Sequence, residues 1–297
     1  MKISVIIPHL NQRGYLLRCI EALTLQINPP SWEAIVVDNG SRVLPNLEKF
    51  ASKNIFIRHE ERRGPGYARN TGVSSATGNI LAFTDSDCVP ALDWLASIKL
   101  AFDNPNTFII GGEMNVQKSP DARCQLHLPY EKVYSFRNRL HVEEGYSSTG
   151  NMAVRREVFE TVGRFGGIDI AEDRNWGLRA TSMGITVSFR EEIRVAHHAR
   201  ASYRELQLKW YRHVEHERAE WTSNSRSIAT WLFKAFLLPI SPLFEIVTLL
   251  TTDKLSGAGE RFLALMYLIK IRVFRAYVMF ALVFNKSKTD VRKFWEN

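Results

Sequence analysis

Between residues 2 and 85 the chain alternates short β-branched runs with segments of helical apolar spacing, and this alternation restricts the fold more than any other feature. "KISVIIP" (2–8), "WEAIVVD" (32–38), "IFIRH" (55–59) and "NILAFTD" (79–85) read as strands. Segments such as "YLLRCIEALTLQ" between them read as helices. The pattern is that of βαβ units, which predicts a parallel sheet covered by helices and joined by right-handed crossovers. With 297 residues, 45% of them apolar, the chain can bury a substantial core, so one large domain with an appendage is expected.

Open α/β sheets bind ligands beyond the carboxyl ends of their strands. Pro8 with Asn11, Asp38, and Asp85 with Asp87 all fall at such ends. Asp85 and Asp87 are two residues apart on an extended tip, where they point to the same side and repel unless a cation sits near them. A divalent metal is the obvious cation. Capping of the helical pattern that follows Pro90 explains one acid but not two. No G-x-G-x-x-G follows the first strand and no G-x-x-x-x-G-K-[ST] occurs, which disfavours a dinucleotide-dependent dehydrogenase and a P-loop NTPase.

The stretch "RRGPGYARNTGVSSATG" (62–78) reads either as a turn or as a ligand loop. In the second case Gly64 and Gly66 let the backbone approach a ligand and Arg69 aims a guanidinium at a phosphate. Further on, helices are expected over 156–162 and 172–183, separated by glycines. Glu172 and Asp173 then occupy the first turn of the second helix, where the macrodipole favours acids and where a general base would also be exposed. His197 and His198 end a strand, and a neutral imidazole there can complete a metal site begun by distant acids. His213 and His216, three apart on a polar helix face, read as solvated.

Three dispersed cysteines, Cys19, Cys88 and Cys124, suit a reducing compartment, and the N-terminus reads as a first strand, not a signal peptide. A cytoplasmic location is therefore expected. The net charge of +8 points to an anionic partner such as a phosphorylated substrate or anionic lipid. No basic and aromatic platform stands out, so nucleic acid is not expected.

Taken in order, "SVIIPHLNQRGYLLRCIEAL", "IVVDNGS", "GPGYARNTG", "LAFTDSDC", "TGNMAVRREVFETVGRFGG", "AEDRNWGLRA" and "VAHHARAS" resemble glycosyltransferase family 2, the inverting nucleotide-sugar enzymes with the GT-A fold. The resemblance runs from about Ile3 to Arg212. It implies an α/β catalytic domain, placed over 1–222, with a Rossmann-like, mostly parallel mixed sheet flanked by helices; beyond the resemblance, the change in composition marks an apolar helical extension over 223–297. The resemblance also implies a nucleoside-diphosphate-sugar donor of UDP, GDP or dTDP type, with Asp38 at the base and Pro8, Asn11 and Arg69 on the donor side. Asp85 falls at the ribose or the metal, Asp87 at the metal, and Asp173 at the acceptor hydroxyl as general base. The pattern V-x-H-x-x-R-x-S favours His197 over His198 as a further ligand of Mn2+ or Mg2+. Asn151 and Glu172 are expected near the donor sugar or the acceptor, a glycan or a lipid-linked sugar. A nucleotidyltransferase would carry a glycine-rich basic loop where this chain has "PHLNQRGYL". A catalytically inactive scaffold or binding protein with this fold is the alternative, and the presence of Asp85, Asp87 and Asp173 counts against it.

The tail changes character. "WLFKAFLLPISPLFEIVTLL" (231–250) and "FLALMYLIKIRVFRAYVMFALVF" (262–284) are long and apolar enough to span a bilayer. Lys234, Pro239, Pro242 and Glu245 interrupt the first, and Lys270, Arg272 and Arg275 the second, each buried charge costing about 2.5 to 3.5 kcal/mol at mid-bilayer. Helices lying in the interface, or a docked hairpin, with these side chains reaching headgroups or water, are expected instead. Over 253–297 nine Lys or Arg oppose four Asp or Glu, a balance of +5 that favours the anionic cytoplasmic leaflet. A helical subdomain or a dimer interface is the alternative.

Overall fold

The computed structural model describes residues 1–44, 46–50, 54–122 and 124–284. Its first half is the expected alternation: β1 (Lys2–His9), α1 (Arg13–Thr24), β2 (Ser31–Asp38), β3 (Ile55–His59), α2 (Pro65–Ser75) and β4 (Ile80–Thr84). Then follow β5 (Cys88–Pro90), α3 (Trp94–Phe102), β6 (Ile109–Gln117), α4 (Leu128–Tyr134), α5 (Asn138–Glu143), β7 (Asn151–Arg155), α6 (Arg156–Val162), α7 (Glu172–Ser182) and β8 (Val187–His198). The C-terminal part is helical, with α8 (Tyr203–Ser223), α9 (Ile228–Leu237), a 3-10 stretch (Leu238–Glu245), α10 (Ile246–Thr251) and α11 (Gly257–Phe284).

Among the described residues the strands form one eight-stranded sheet in the order β3-β2-β1-β4-β7-β6-β8-β5. Strands β3, β2, β1 and β4 run parallel, and β7 turns the sheet antiparallel at β4. All five residues of β4 are buried, as a strand covered on both faces requires. Phe83 packs edge-on to Phe165 and beside Phe159, in a cluster that also holds Ile6, Met152 and Trp176. The strand ends are thereby fixed: His9 is in register with Asp38, and Cys88 lies opposite His197.

The chain forms two compact units, Met1–Asn115 with Arg137–His197, and Val116–Phe136 with His198–Asn297. The sequence division at 222 leaves α8 with the first part. In the structure Leu206 of α8 shares an apolar cluster with Tyr130 and Tyr134 of α4 and Leu268 and Ile271 of α11, inside the second unit. The start of α8 is a capping box: Ser202 Oγ accepts the Glu205 N–H at 3.2 Å and Glu205 accepts the Ala201 N–H at 3.1 Å. Of the two histidines expected in solvent, His213 is exposed and His216 is half-buried.

Candidate active site

One buried guanidinium organises the end of β4. Arg69 of α2 donates to Asp85 Oδ1 and to Glu172 Oε1, each at 2.7 Å. It is only 3% exposed, so its planar fork is engaged by two carboxylates of the chain itself and is not held out toward solvent. Burial works against its charge, but the two carboxylates outweigh that effect and raise its pKa above the ordinary value. Asp85, two residues from Asp87, and Glu172, next to Asp173, are thus joined through one side chain.

The glycines of this loop have a packing role within the chain. A Cβ on Gly66 would lie 2.1 Å from the carbonyl oxygen of Gly166, and one on Gly64 would lie 3.3 Å from Ile168 Cβ. The Asn70 amide donates to Phe165 O and accepts the Phe165 N–H, both at 3.0 Å. The close backbone approach at Gly66 is between α2 and the 163–171 loop. Gly66→Ala should force these segments apart, cost about 1 to 3 kcal/mol and loosen Glu172 from Arg69. Denaturant unfolding measures this, and a variant as stable as the parent would refute the packing role.

Asp173 stands in the first turn of α7, half-buried, accepting the Arg174 N–H at 2.7 Å. Burial first, then the neighbouring Glu172 and Asp85, push its carboxyl up to about 7, against the Arg174 N–H and Arg69, which act to lower it. Its helix is anchored by Trp176, which is fully buried, donates to Gly163 O at 2.7 Å and stacks on Phe159.

On the other side of the acid pair, Asp87 Oδ2 lies 3.2 Å from His197 Nε2. Ligand atoms of Asp87, Cys88 and His197 all lie within 4.8 Å of one another. That donor set of carboxylate, imidazole and sulfur suits a divalent transition ion. His198 instead meets Gln117, 3.0 Å away. Asp85 is not in this group; it is the partner of Arg69. Cys88 was missed in the sequence, although it directly follows the second acid and is the cross-strand neighbour of His197.

At the end of β2, Asp38 is 2% exposed. Its Oδ2 accepts the N–H groups of Gly40 and Ser41 at 3.3 and 3.2 Å. Among the described residues, Asp38 Oδ1 and both ring nitrogens of the buried His9 find no hydrogen-bond partner. Burial pulls the His9 pKa down, against the raising influence of Asp38. Pro8 precedes His9 at the end of β1, in register with Val37. Asn11, at a positive φ of 56°, ties the loops after β1 and β2 together: its N–H donates to Ser41 Oγ at 2.8 Å and its Oδ1 accepts the Arg42 N–H at 2.9 Å.

Asn151 is tied into the sheet. It is buried, accepts from Trp94 Nε1 at 2.9 Å and donates to Glu113 O and Ile193 O at 2.8 and 2.9 Å. Its amide is engaged in joining β7 to its neighbours. The nearer contact with the acid tip is Gly150, where a Cβ would lie 3.2 Å from Asp85 Oδ2.

This architecture is that of the GT-A glycosyltransferases. The fold is similar to that of the mannosyltransferase PcManGT from Pyrobaculum calidifontis in complex with GDP-Man and Mn2+, with a TM-score of 0.62 at 18% identity over 96% of this chain and 87% of the other. It is also similar to S. aureus TarS 1-349 in complex with UDP-GlcNAc, with a TM-score of 0.55 at 17% identity over 95% and 92%. A sequence profile described as "Glycosyl transferase family 2" matches residues 4–163. The chain belongs to that family and is a glycosyltransferase. Glycosyltransferase AglE of Haloferax volcanii is 31% identical over 253 residues, covering 79% of this chain and 81% of that protein. The uncharacterized glycosyltransferase YfnE of Bacillus subtilis is 39% identical over 116 residues, which is 38% of this chain and 30% of YfnE, so the chain spans under a third of its length.

Proposed function

We propose that the chain is a metal-dependent, inverting glycosyltransferase that moves a sugar from a nucleoside-diphosphate sugar to a hydroxyl of a glycan or lipid-linked acceptor. The observation that carries this reading is the buried Arg69, which links the acid beside a base raised to about 7 with the acid beside the Asp87 and His197 pair. The GDP-Man and UDP-GlcNAc complexes of the structural neighbours support a nucleotide-sugar donor.

On this reading the unpartnered Asp38 Oδ1 accepts an N–H of the base, at the end of the parallel half of the sheet. Asp173 takes the proton of the acceptor hydroxyl as the new C–O bond forms on the face opposite the departing diphosphate. The bonding pair leaves with the nucleoside diphosphate, and one displacement inverts the anomeric centre. Arg69 keeps Asp85 and Glu172 in place and screens the diphosphate from their charge. A divalent cation held by Asp87 and His197, with Cys88 beside them, would stabilise the charge of the leaving diphosphate. An imidazole in the set favours Mn2+ over Mg2+, which prefers oxygen ligands. Catalysis is assigned to the 1–222 domain, and the apolar 223–297 region to a peripheral position on the cytoplasmic face of a membrane.

Calorimetric binding of UDP, GDP and dTDP, with and without Mn2+, tests the donor site on the parent and on Asp87→Ala. One nucleotide should bind in a metal-dependent way and lose that dependence in the variant. No binding under any metal condition would overturn the reading.

A further inference from the structure

The helical stretch from α9 through α10 has the reverse polarity of a water-facing surface helix. Trp231, Ala235, Leu238, Pro242 and Leu249 recur at three-, four- and seven-residue steps and form one buried stripe. The opposite side is exposed and apolar, with Phe236 at 65% and Phe244 at 83%, joined by Phe233, Ile240, Val247 and Leu250. Between 228 and 251 no exposed residue is charged. A helix that borders water places its charges on that face.

The two charges of this stretch, Lys234 with its side chain 42% exposed and Glu245 at 21%, are both engaged by neighbouring helices. Lys234 pairs with Glu217 of α8. Glu245 lies 3.8 Å from Arg272 of α11 and accepts from Tyr134 OH at 3.4 Å. Arg275 of α11 lies 3.7 Å from Glu217 and over the ring of Trp210. Lys234, Arg272 and Arg275, expected to reach headgroups or water, are paired within the second unit. Of the nine basic residues counted over 253–297, Lys286, Lys288, Arg292 and Lys293 lie outside the described residues.

A face whose charges are paired with neighbouring helices and whose exposed side chains are uncharged, and apolar apart from Thr230, Thr248 and Thr251, matches an occupant that tolerates no charge. The hydrocarbon of a lipid bilayer is such an occupant. The stretch Ile228–Thr251, 24 residues, is long and apolar enough to cross a membrane. Its buried stripe already packs with α8 and α11, in the cluster of Val214, Trp231, Ala235 and Ala276, so one side only is open. That geometry suits a helix lying in the interface plane. Exposed Arg226 and Lys254 bracket the stretch where headgroup phosphates would be.

We propose that residues 228–251 insert this face among the acyl chains of a bilayer, so that apolar burial, and not basic charge, holds the protein to the membrane. This deepens the membrane position proposed above. Flotation of the full chain with phosphatidylcholine vesicles, which carry no net charge, is the test. The parent should float equally well at low salt and at about 1 M salt, where screening leaves a Debye length of about 3 Å. Phe236→Glu combined with Phe244→Glu should lower the bound fraction at least about ten-fold, with thermal unfolding unchanged. Binding only to anionic vesicles at low salt, or equal flotation of the variant, would overturn the proposal. So would a lipid-independent dimer that the variant splits, because a second copy would then cover the face. Nucleoside diphosphate binding in the same samples separates the two readings: a chain that binds nucleotide and ignores vesicles refutes the insertion alone.

Discussion

Asp173→Asn leaves nucleoside diphosphate affinity unchanged and lowers sugar transfer by about 10²- to 10⁴-fold, the usual contribution of a positioned general base. The pH profile makes the result specific. In the folded chain the Asp173 carboxyl titrates at about 7, because burial and the adjacent Glu172 disfavour its anion. Below that pH it carries a proton and cannot take one from the acceptor, so the parent rate rises as pH increases through about 7. The Asn variant should lose this limb. The sign for stability is the opposite. A carboxyl whose pKa is higher folded than unfolded destabilises the fold as pH rises from the ordinary carboxylate range through about 7. Above pH 7 the neutral Asn variant should therefore unfold at a higher temperature than the parent, as a strained catalytic group would require. Unchanged turnover in the variant would remove Asp173 from the mechanism.

Arg69→Met carries the second large effect. It leaves Asp85 and Glu172 without the cation between them, and removing one partner of a buried ion pair costs about 3 to 5 kcal/mol. The lower end applies, because the Asp85 side chain is 31% exposed and water relieves part of its charge. Arg69 also acts to lower the Asp173 pKa, so its loss should move the rising limb of the pH profile to higher pH. Arg69→Lys should restore little, since an ammonium cannot present two fixed nitrogens to two carboxylates. Denaturant midpoints and pH-rate profiles check both parts. A Met variant as stable as the parent would reduce Arg69 to an ordinary surface pair.

The parallel half of the sheet was legible in the sequence because β1, β2 and β4 are buried on most of their length and so read as unbroken apolar runs. The antiparallel half was not. β6 has two adjacent glycines within its nine residues, and β5 has only three residues, too few to display a period. The acids at the strand and helix tips were legible as charges with no reason to be there. Their partners were not, because Arg69 and Glu172 stand 103 residues apart and only tertiary packing joins them. Gly66 announced a close approach without revealing what approaches, and Asn151 announced a polar group without revealing that three neighbours consume it. In the tail, Lys234 and Arg275 looked like interruptions because Glu217, which receives both, lies outside the apolar segments.

The rung that sets Cys88 opposite His197 has one more consequence. Side chains alternate along a strand, so a slip of β8 by a single residue would normally turn the functional group away from its neighbours. Here the residue that would arrive opposite Cys88 after a slip in one direction is His198, a second imidazole. The same slip would carry Arg194 and Ala196 into the buried places of Ile193 and Val195, so the buried face of β8, and not the chemistry of the tandem histidine, keeps His197 in its register.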